Sequence, residues 1–320
     1  MKCETIRFSE SKRVRLKTYL SDWSTMPWVY PTRAAVIVLP GGGYQMFTAS
    51  EGEPIALAFA AAGYQAFVLE YRLNKEAEYP NPMVDAGLCV KYVRQRAAEW
   101  SIDPDKIILC GMSAGGQVAG GLCLKWQTPE MQQACGLTGP EPDPIIRPDA
   151  MIASYTTSTL ETNGDNAMCR LLRGSRTKEE MKYLASCEYW ASPLAPPLFV
   201  WHCYYDQMVP VEQSLILAQS LAKYDVPFEL HIFGSGGHGG GLFTPATALG
   251  DQSRIDPHAA NWFPLCLNWL RKRFGDPTLP REQTPLPGEH PRAHMGHQIP
   301  LLFEPVQAEN QETTTQEAQL

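Results

Sequence analysis

Short apolar runs alternate along most of the chain with longer segments in which apolar positions recur every three or four residues. Ala34–Leu39 (AAVIVL) is β-branched and stopped by glycines, which predicts a strand buried on both faces. Pro54–Ala62 predicts a helix ended by Gly63, and Gln65–Leu69 the strand after it. In Pro82–Trp100, Val84, Leu88, Tyr92 and Ala97 fall near helical spacing, and Asp103-Pro104-Asp105 predicts a turn into the strand Lys106–Cys110. Ala150–Ser154, Pro197–Cys203 and Phe228–Phe233 are three further strands, with 210–224 a helix between the last two. Ala259–Phe274 predicts an amphipathic helix with Trp262, Leu265, Cys266 and Trp269 on one side. Arg13–Leu20 alternates charged residues with Val14 and Leu16, as an edge strand with one wet face would. This succession predicts the α/β class, with a mostly parallel central sheet and helices on both faces.

Two stretches interrupt the scheme. Residues 127–149 are rich in Pro and Glu and read as a loop, and 156–196 carry polar turns around a helical piece near Lys178–Cys187. Both are expected as insertions near the active site. From about 277 the composition turns to Pro, Gln, Glu and Thr, and AENQETTTQEAQL at the end has little to bury. The expectation is one domain over 1–276 and a partly disordered extension over 277–320, with Leu301-Leu302-Phe303 able to dock on the body or on a neighbouring subunit.

Composition narrows the function classes. Lys+Arg total 27 against 34 Asp+Glu in 320 residues, a net charge of −7, so neither nucleic acid nor an anionic membrane is an expected partner. The N-terminal MKCETIRFSESKRVRLKTYL lacks the apolar region of a secretory signal, and no stretch reaches membrane-spanning length. Nine cysteines form no C-x-x-C pair and sit singly in apolar segments, which reads as reduced thiols in a cytoplasmic protein with no metal site.

The chemistry begins at Gly111-Met112-Ser113-Ala114-Gly115, between the strand Lys106–Cys110 and the apolar stretch Gln117–Trp126. A G-x-S-x-G pentapeptide arises by chance in about one chain of this size in ten. Here, however, it stands between strand and helix, as a nucleophile elbow must. Gly115, Gly116, Gly120 and Gly121 would each weaken that helix by up to about 1 kcal/mol, so close packing on the sheet must hold it. Pro40-Gly41-Gly42-Gly43-Tyr44 ends the strand Ala34–Leu39 and can turn backbone N–H groups into a cavity, the requirement of an oxyanion hole. Both motifs leave strands at one sheet edge.

A serine hydroxyl needs a base, and the base an orienting acceptor. His202 and His231 lie inside predicted strands and read as packed, His258 sits near a helix start, and His290, His294 and His297 fall in the extension. His238, in the glycine loop 234–241 after the last strand, can reach the sheet edge. Asp206 leaves the strand Pro197–Cys203 at that edge, just before a helix opened by Pro210, where it also suits a helix cap. Asp143, Glu161 and Asp165 lie in the insertions and are less rigidly placed. The chain order Ser113, Asp206, His238 is that of one catalytic scaffold.

On these residues the sequence resembles the α/β-hydrolase superfamily from about Ala34 to Leu270. Within it the chain resembles esterases related to the hormone-sensitive-lipase and bacterial acetyl-esterase and xylan-esterase groups. Glu70-Tyr71-Arg72-Leu73, Pro80 through Asp85, Ile102 through Ile107 and Asp206 through Pro210 carry the resemblance with the two glycine motifs and His238-Gly239. It implies Ser113 as nucleophile, His238 as general base and acid, Asp206 as orienting carboxylate, and the N–H groups of Gly42, Gly43 and Ala114 as oxyanion donors. Pro40 stands where the lipase-like group has histidine and Met112 where an Asp is common, and the long N-terminal cap of that group is not expected. These departures turn the resemblance toward acetyl esterases and carbohydrate esterases.

The implied reaction is hydrolysis of a small-molecule ester through an acyl-enzyme, without metal or organic cofactor. The acyl group would be short, acetyl foremost, and the alcohol a sugar hydroxyl. Two alternatives stand beside it. A peptidase or amidase on the same fold would bring a large filtering domain, not expected in this chain. A non-catalytic binding relative would have lost one of the three groups, and all three are present.

Overall fold

A computed structural model of the chain describes residues 1–8, 13–21, 32–160 and 167–277. Within them, β1 (Thr5–Ile6), β2 (Arg15–Tyr19), β3 (Arg33–Leu39), β4 (Gln65–Glu70), β5 (Ile102–Met112), β6 (Ala150–Ser154), β7 (Leu198–Cys203) and β8 (Phe228–Phe233) form one sheet in the order β1-β2-β4-β3-β5-β6-β7-β8. The first two strands are antiparallel additions and the rest run parallel. The fold is that of an α/β-hydrolase.

The pleat explains why the central strands read as unbroken apolar runs. In β3, Ala35, Ile37 and Leu39 pack with α2 (Asn81–Gln95), α3 (Ala114–Lys125) and α7 (Glu212–Lys223) on one face. Ala34, Val36 and Val38 pack with α1 (Glu53–Ala61) and α8 (Trp262–Phe274) on the other. With both faces covered, no position needs to be polar. At about 25 cal/mol per Å² these two layers are the main stabilising term.

β3 neighbours both β4 and β5, so the chain leaves it to one side and returns to the other. The sheet therefore has its topological switch point between β3 and β5, where the loops at the strands' C-terminal ends diverge and open a crevice. The Pro40–Tyr44 loop leaves β3 there, and Ser113 leaves β5.

Several expectations change. Arg15–Tyr19 is not the edge, because Thr5–Ile6 pairs outside it with Thr5 opposite Lys17; two residues are too few to show a period. Asp103–Asp105 is not a turn between elements but an excursion inside β5, since Arg33 pairs with Ile102 and Ala35 with Ile107. The Asp103 carboxylate closes it locally, accepting the Asp105 N–H at 3.1 Å and pairing with Lys106 at 3.0 Å. α2 ends at Gln95, short of Trp100. The 127–149 stretch contains a helix, α4 (Pro129–Ala134), capped by Thr128 and opened by Pro129. The second insertion carries α5 (Ala167–Arg173) and α6 (Lys178–Ala185), the latter with a capping box between Thr177 and Glu180.

The extension after Pro277, with His290, His294, His297 and Leu301-Leu302-Phe303, lies outside the described residues, as do Glu161 and Asp165. Cys89, Cys110, Cys123, Cys135, Cys169, Cys187, Cys203 and Cys266 are buried free thiols, and Cys3 is exposed. Among the described residues no helix is long and apolar enough to cross a membrane.

Candidate active site

Ser113 is the residue between β5 and α3, held at φ 52° and ψ −121°. Backbone of this kind costs a non-glycine residue roughly 1–3 kcal/mol and persists only where the surroundings enforce it. They do so through close approach. A side chain on Gly115 would begin 2.0 Å from the Leu39 carbonyl oxygen, so only glycine lets α3 start this near β3. The Ser113 N–H donates to the Ser154 carbonyl at 3.0 Å, and the Ser113 carbonyl accepts from Gly116 at 2.9 Å and from the Thr156 hydroxyl at 3.4 Å.

The glycine loop after β3 reaches the same point. A Cβ on Gly41 would lie 2.7 Å from the Ser113 Cβ, so the two segments are in backbone contact. The N–H groups of Gly42, Gly43 and Ala114 have no acceptor within the described chain. N–H groups left without acceptors at such a turn can receive a developing negative charge.

His238 joins Ser113 from the far side of the sheet edge. Its Nε2 is 2.9 Å from Ser113 Oγ and its Nδ1 is 2.7 Å from Asp206 Oδ2. The carboxylate can only accept, so the proton sits on Nδ1 and the Nε2 lone pair faces the serine hydroxyl. Asp206 Oδ1 accepts the backbone N–H groups of Met208 at 2.8 Å and Val209 at 2.9 Å. Burial pushes the Asp206 carboxyl up, but the His202, His238 and Val209 N–H groups outweigh it and hold the group well below the usual carboxylate range. The structure thus brings together Ser113, Asp206 and His238, with the loop carrying Gly42 and Gly43 in backbone contact with the Ser113 turn at Gly41 and with Ala114 opening α3 beside it. His231 pairs instead with Glu229, His258 packs on Phe233, and Asp143 caps a turn at Ile145.

Four participants had not been read from the sequence. Glu51 is buried beneath the glycine loop, where Oε2 accepts the Gly41 N–H at 2.7 Å and Oε1 accepts the Tyr155 hydroxyl at 2.9 Å. Burial raises the Glu51 carboxyl above its ordinary value. The Tyr155 ring stands edge-on to His238 at 5.0 Å. The Gly239 carbonyl, next to His238, is held by the Arg254 guanidinium and by the Ser50 hydroxyl at 3.3 Å. Tyr155 follows β6 at the active sheet edge, a placement that was available as a signal. Glu51, Ser50 and Arg254 lie in short turns with no periodicity to mark them. His202, read as a packed strand histidine, is indeed fully buried, and its Nε2 lies 3.3 Å from Asp206 Oδ2.

A family model described as BD-FAE matches residues 29–221, a span containing Ser113 and Asp206 but ending before His238. The chain is 34% identical over 217 residues to endo-1,4-beta-xylanase B of Butyrivibrio fibrisolvens, covering 65% of this chain and 32% of that protein. The carboxylesterase Cest-2923 of Lactobacillus plantarum superposes with a TM-score of 0.76 at 26% identity, covering 85% of this chain and 98% of that one. The acetyl ester-xyloside bifunctional hydrolase of Caldicellulosiruptor lactoaceticus gives 0.70 at 29% identity, covering 85% and 97%. The chain spans a third to a half of the length of the curated relatives it matches.

Proposed function

This chain belongs to the BD-FAE family, and on that premise we propose that it is a serine carboxylic-ester hydrolase acting on short-chain acyl esters, acetyl esters of sugars foremost. The observation that carries the reading is the unbroken hydrogen-bonded line from Ser113 Oγ through His238 to Asp206. In the proposed mechanism His238 Nε2 takes the Ser113 proton as Oγ attacks the ester carbonyl carbon. The carbonyl oxygen becomes an oxyanion facing the N–H groups of Gly42, Gly43 and Ala114. His238 then gives the proton to the departing alcohol, leaving the acyl group on Ser113. Water attacks the acyl-enzyme with its proton passing to Nε2, and collapse releases the acid and restores the serine. Each oxyanion donor is worth about 3–4 kcal/mol in the transition state.

The short acyl group is supported by a cavity of about 30 Å³ between α3 and the second insertion, lined by Met83, Gly116, Gln117, Leu124, Met151 and Trp190. By that measure it has room for about two water-sized groups. Gly116 and Gln117, whose N–H groups donate to the Ser113 carbonyl at 2.9 and 3.2 Å, place its near wall one helical turn from the nucleophile. The sugar alcohol is supported by the xylanase and acetyl ester-xyloside hydrolase among the relatives. The net charge of −7 favours a neutral substrate over nucleic acid, and the buried free thiols support residence in the reducing cytoplasm.

A serine-directed phosphonate followed by mass mapping tests the reading. Labelling at Ser113 is expected, with Ser113→Ala losing both the label and hydrolysis of aryl acetates. Labelling elsewhere, or hydrolysis that survives Ser113→Ala, would overturn it.

A further inference from the structure

His202 is fully buried on β7 and takes no part in the proton transfers described above. Its two ring nitrogens are nonetheless both engaged. Nε2 is 2.9 Å from the Val209 carbonyl oxygen and 3.3 Å from Asp206 Oδ2, and Nδ1 is 2.7 Å from the Ser214 hydroxyl on α7. A carbonyl and a carboxylate both accept only, so Nε2 carries a proton. Ser214 Oγ has no other partner within the described chain, so its proton points at Nδ1. The ring is therefore a neutral imidazole in a single tautomer, and a serine in the first turn of α7 sets that tautomer.

This matters because of what Val209 does. The residues 206–209 form the turn whose Met208 and Val209 N–H groups hold Asp206 Oδ1. The His202 N–H fastens the carbonyl of the same Val209 from beneath. It also presents positive hydrogen to Oδ2, the oxygen that orients His238. A neutral donor stabilises the carboxylate without adding a charge that would oppose formation of the imidazolium. We propose that His202, set by Ser214, is a positioning residue that clamps the Asp206 turn and shares the negative charge of Asp206 with His238.

The proposal rests on the esterase reading for its catalytic consequence, but the charge sharing can be measured without turnover. Loss of the His202 N–H leaves more of the Asp206 charge to His238, which stabilises the imidazolium and moves its titration to higher pH. The other groups facing this cluster are Glu51, Tyr155 and Arg254 around His238, and Cys203 beside Asp206, with Asp256 acting in turn on Cys203. All of these remain in place in the variants, so the difference isolates His202.

The experiment compares His202→Phe, His202→Gln and Ser214→Ala in the full chain. For aryl acetate hydrolysis, His202→Phe is expected to lower kcat by on the order of 10- to 100-fold with KM little changed, as misplacement of a catalytic group does. The acid limb of its pH profile should move up by about half a unit. His202→Gln, which keeps an N–H at the Nε2 position, should recover most of the rate and the original limb. Ser214→Ala, which frees the tautomer, should fall between. In parallel, the His238 ring is titrated by NMR in a Ser113→Ala background with and without His202→Phe. A higher midpoint in the double variant is expected, and it holds whether or not the chain is an esterase. A folded His202→Phe with unchanged kcat, limb and NMR midpoint would overturn the proposal. So would a Gln variant no better than Phe, because packing alone would then account for the loss.

Discussion

Two buried carboxylates flank the Ser113–His238 pair, and their surroundings shift them in opposite directions. Asp206 sits in a tight turn and receives N–H groups from Met208, Val209 and His238, with His202 close by; these outweigh burial and keep it ionised. Glu51 is as deeply enclosed but receives one N–H, from Gly41, and one hydroxyl, from Tyr155, and burial prevails. Burial is common to both, so the number and kind of donors decides the direction in which each is shifted. The chemistry follows from that. An ionised Asp206 can balance an imidazolium, whereas Glu51 acts as a pair of acceptors beneath the loop carrying Gly42 and Gly43.

The largest effect should come from Asp206→Asn. An amide offers Nδ1 a competing donor and favours the wrong imidazole tautomer, so kcat is expected to fall by about 10³- to 10⁴-fold with folding retained. Stability gives an independent reading. The carboxyl lies below its ordinary 3.8 in the folded protein, so the stability it contributes is fully present above that value. It is lost as pH falls through the lower folded value. The stability of the wild type relative to Asp206→Asn should therefore shrink in urea unfolding as the pH is taken below about 4. A difference that stays constant down the acid range would mean that Asp206 is not held ionised by its donors.

The same contrast explains what the sequence made legible. Ser113 and the glycine loop announce themselves because the backbone contact at Gly41 and Gly115 that holds them forces glycine into contiguous motifs. Asp206 and His238 could be found because each follows a strand at the active edge. Their supports could not be found that way. His202 looks like any strand histidine until Val209 folds back onto it, and Glu51 lies 62 positions from Ser113 in chain order. The sequence pattern predicted seven of the eight strands, and β3, β4, β6 and β7 stand out as unbroken apolar runs because both their faces are covered. It missed Thr5–Ile6, too short for a period, and misread Asp103–Asp105, where local carboxylate bonds imitate a turn within a continuing strand.

Lys125, at the far end of α3, extends the rule to a cation. Its ammonium is buried against the Tyr79 hydroxyl, the Leu184 carbonyl at 3.3 Å and the Trp190 ring at 4.0 Å. Burial lowers it to about 8 from 10.5, outweighing the Glu130 carboxylate 3.8 Å away, which raises it. The unfolded chain therefore holds more protons between these values, and this group's contribution to stability rises with pH across that window. At 1.36 kcal/mol per unit, the wild type should gain up to about 3 kcal/mol relative to Lys125→Met between pH 8 and 10.5. Urea unfolding of both proteins across that range measures it, and parallel curves would refute the claim that burial governs Lys125.

The smallest effect separates geometry from charge at Glu51. Glu51→Leu leaves the Gly41 N–H and the Tyr155 hydroxyl unpaired, and the loop they support carries two proposed oxyanion donors. A fall in kcat of about tenfold with KM little changed is expected. Glu51→Gln keeps one acceptor for Gly41, and the Tyr155 hydroxyl can accept the new amide hydrogen, so kcat should stay within about threefold of the wild type. The stability sign is opposite to that of Asp206. The folded carboxyl titrates above its ordinary 4.5, so the folded state holds the extra proton, and the wild type loses stability relative to Glu51→Gln as pH rises through that window. If Gln proved as damaging as Leu, and the pH trend ran the other way, donors rather than burial would govern Glu51 as they govern Asp206, and donor count would no longer distinguish the two.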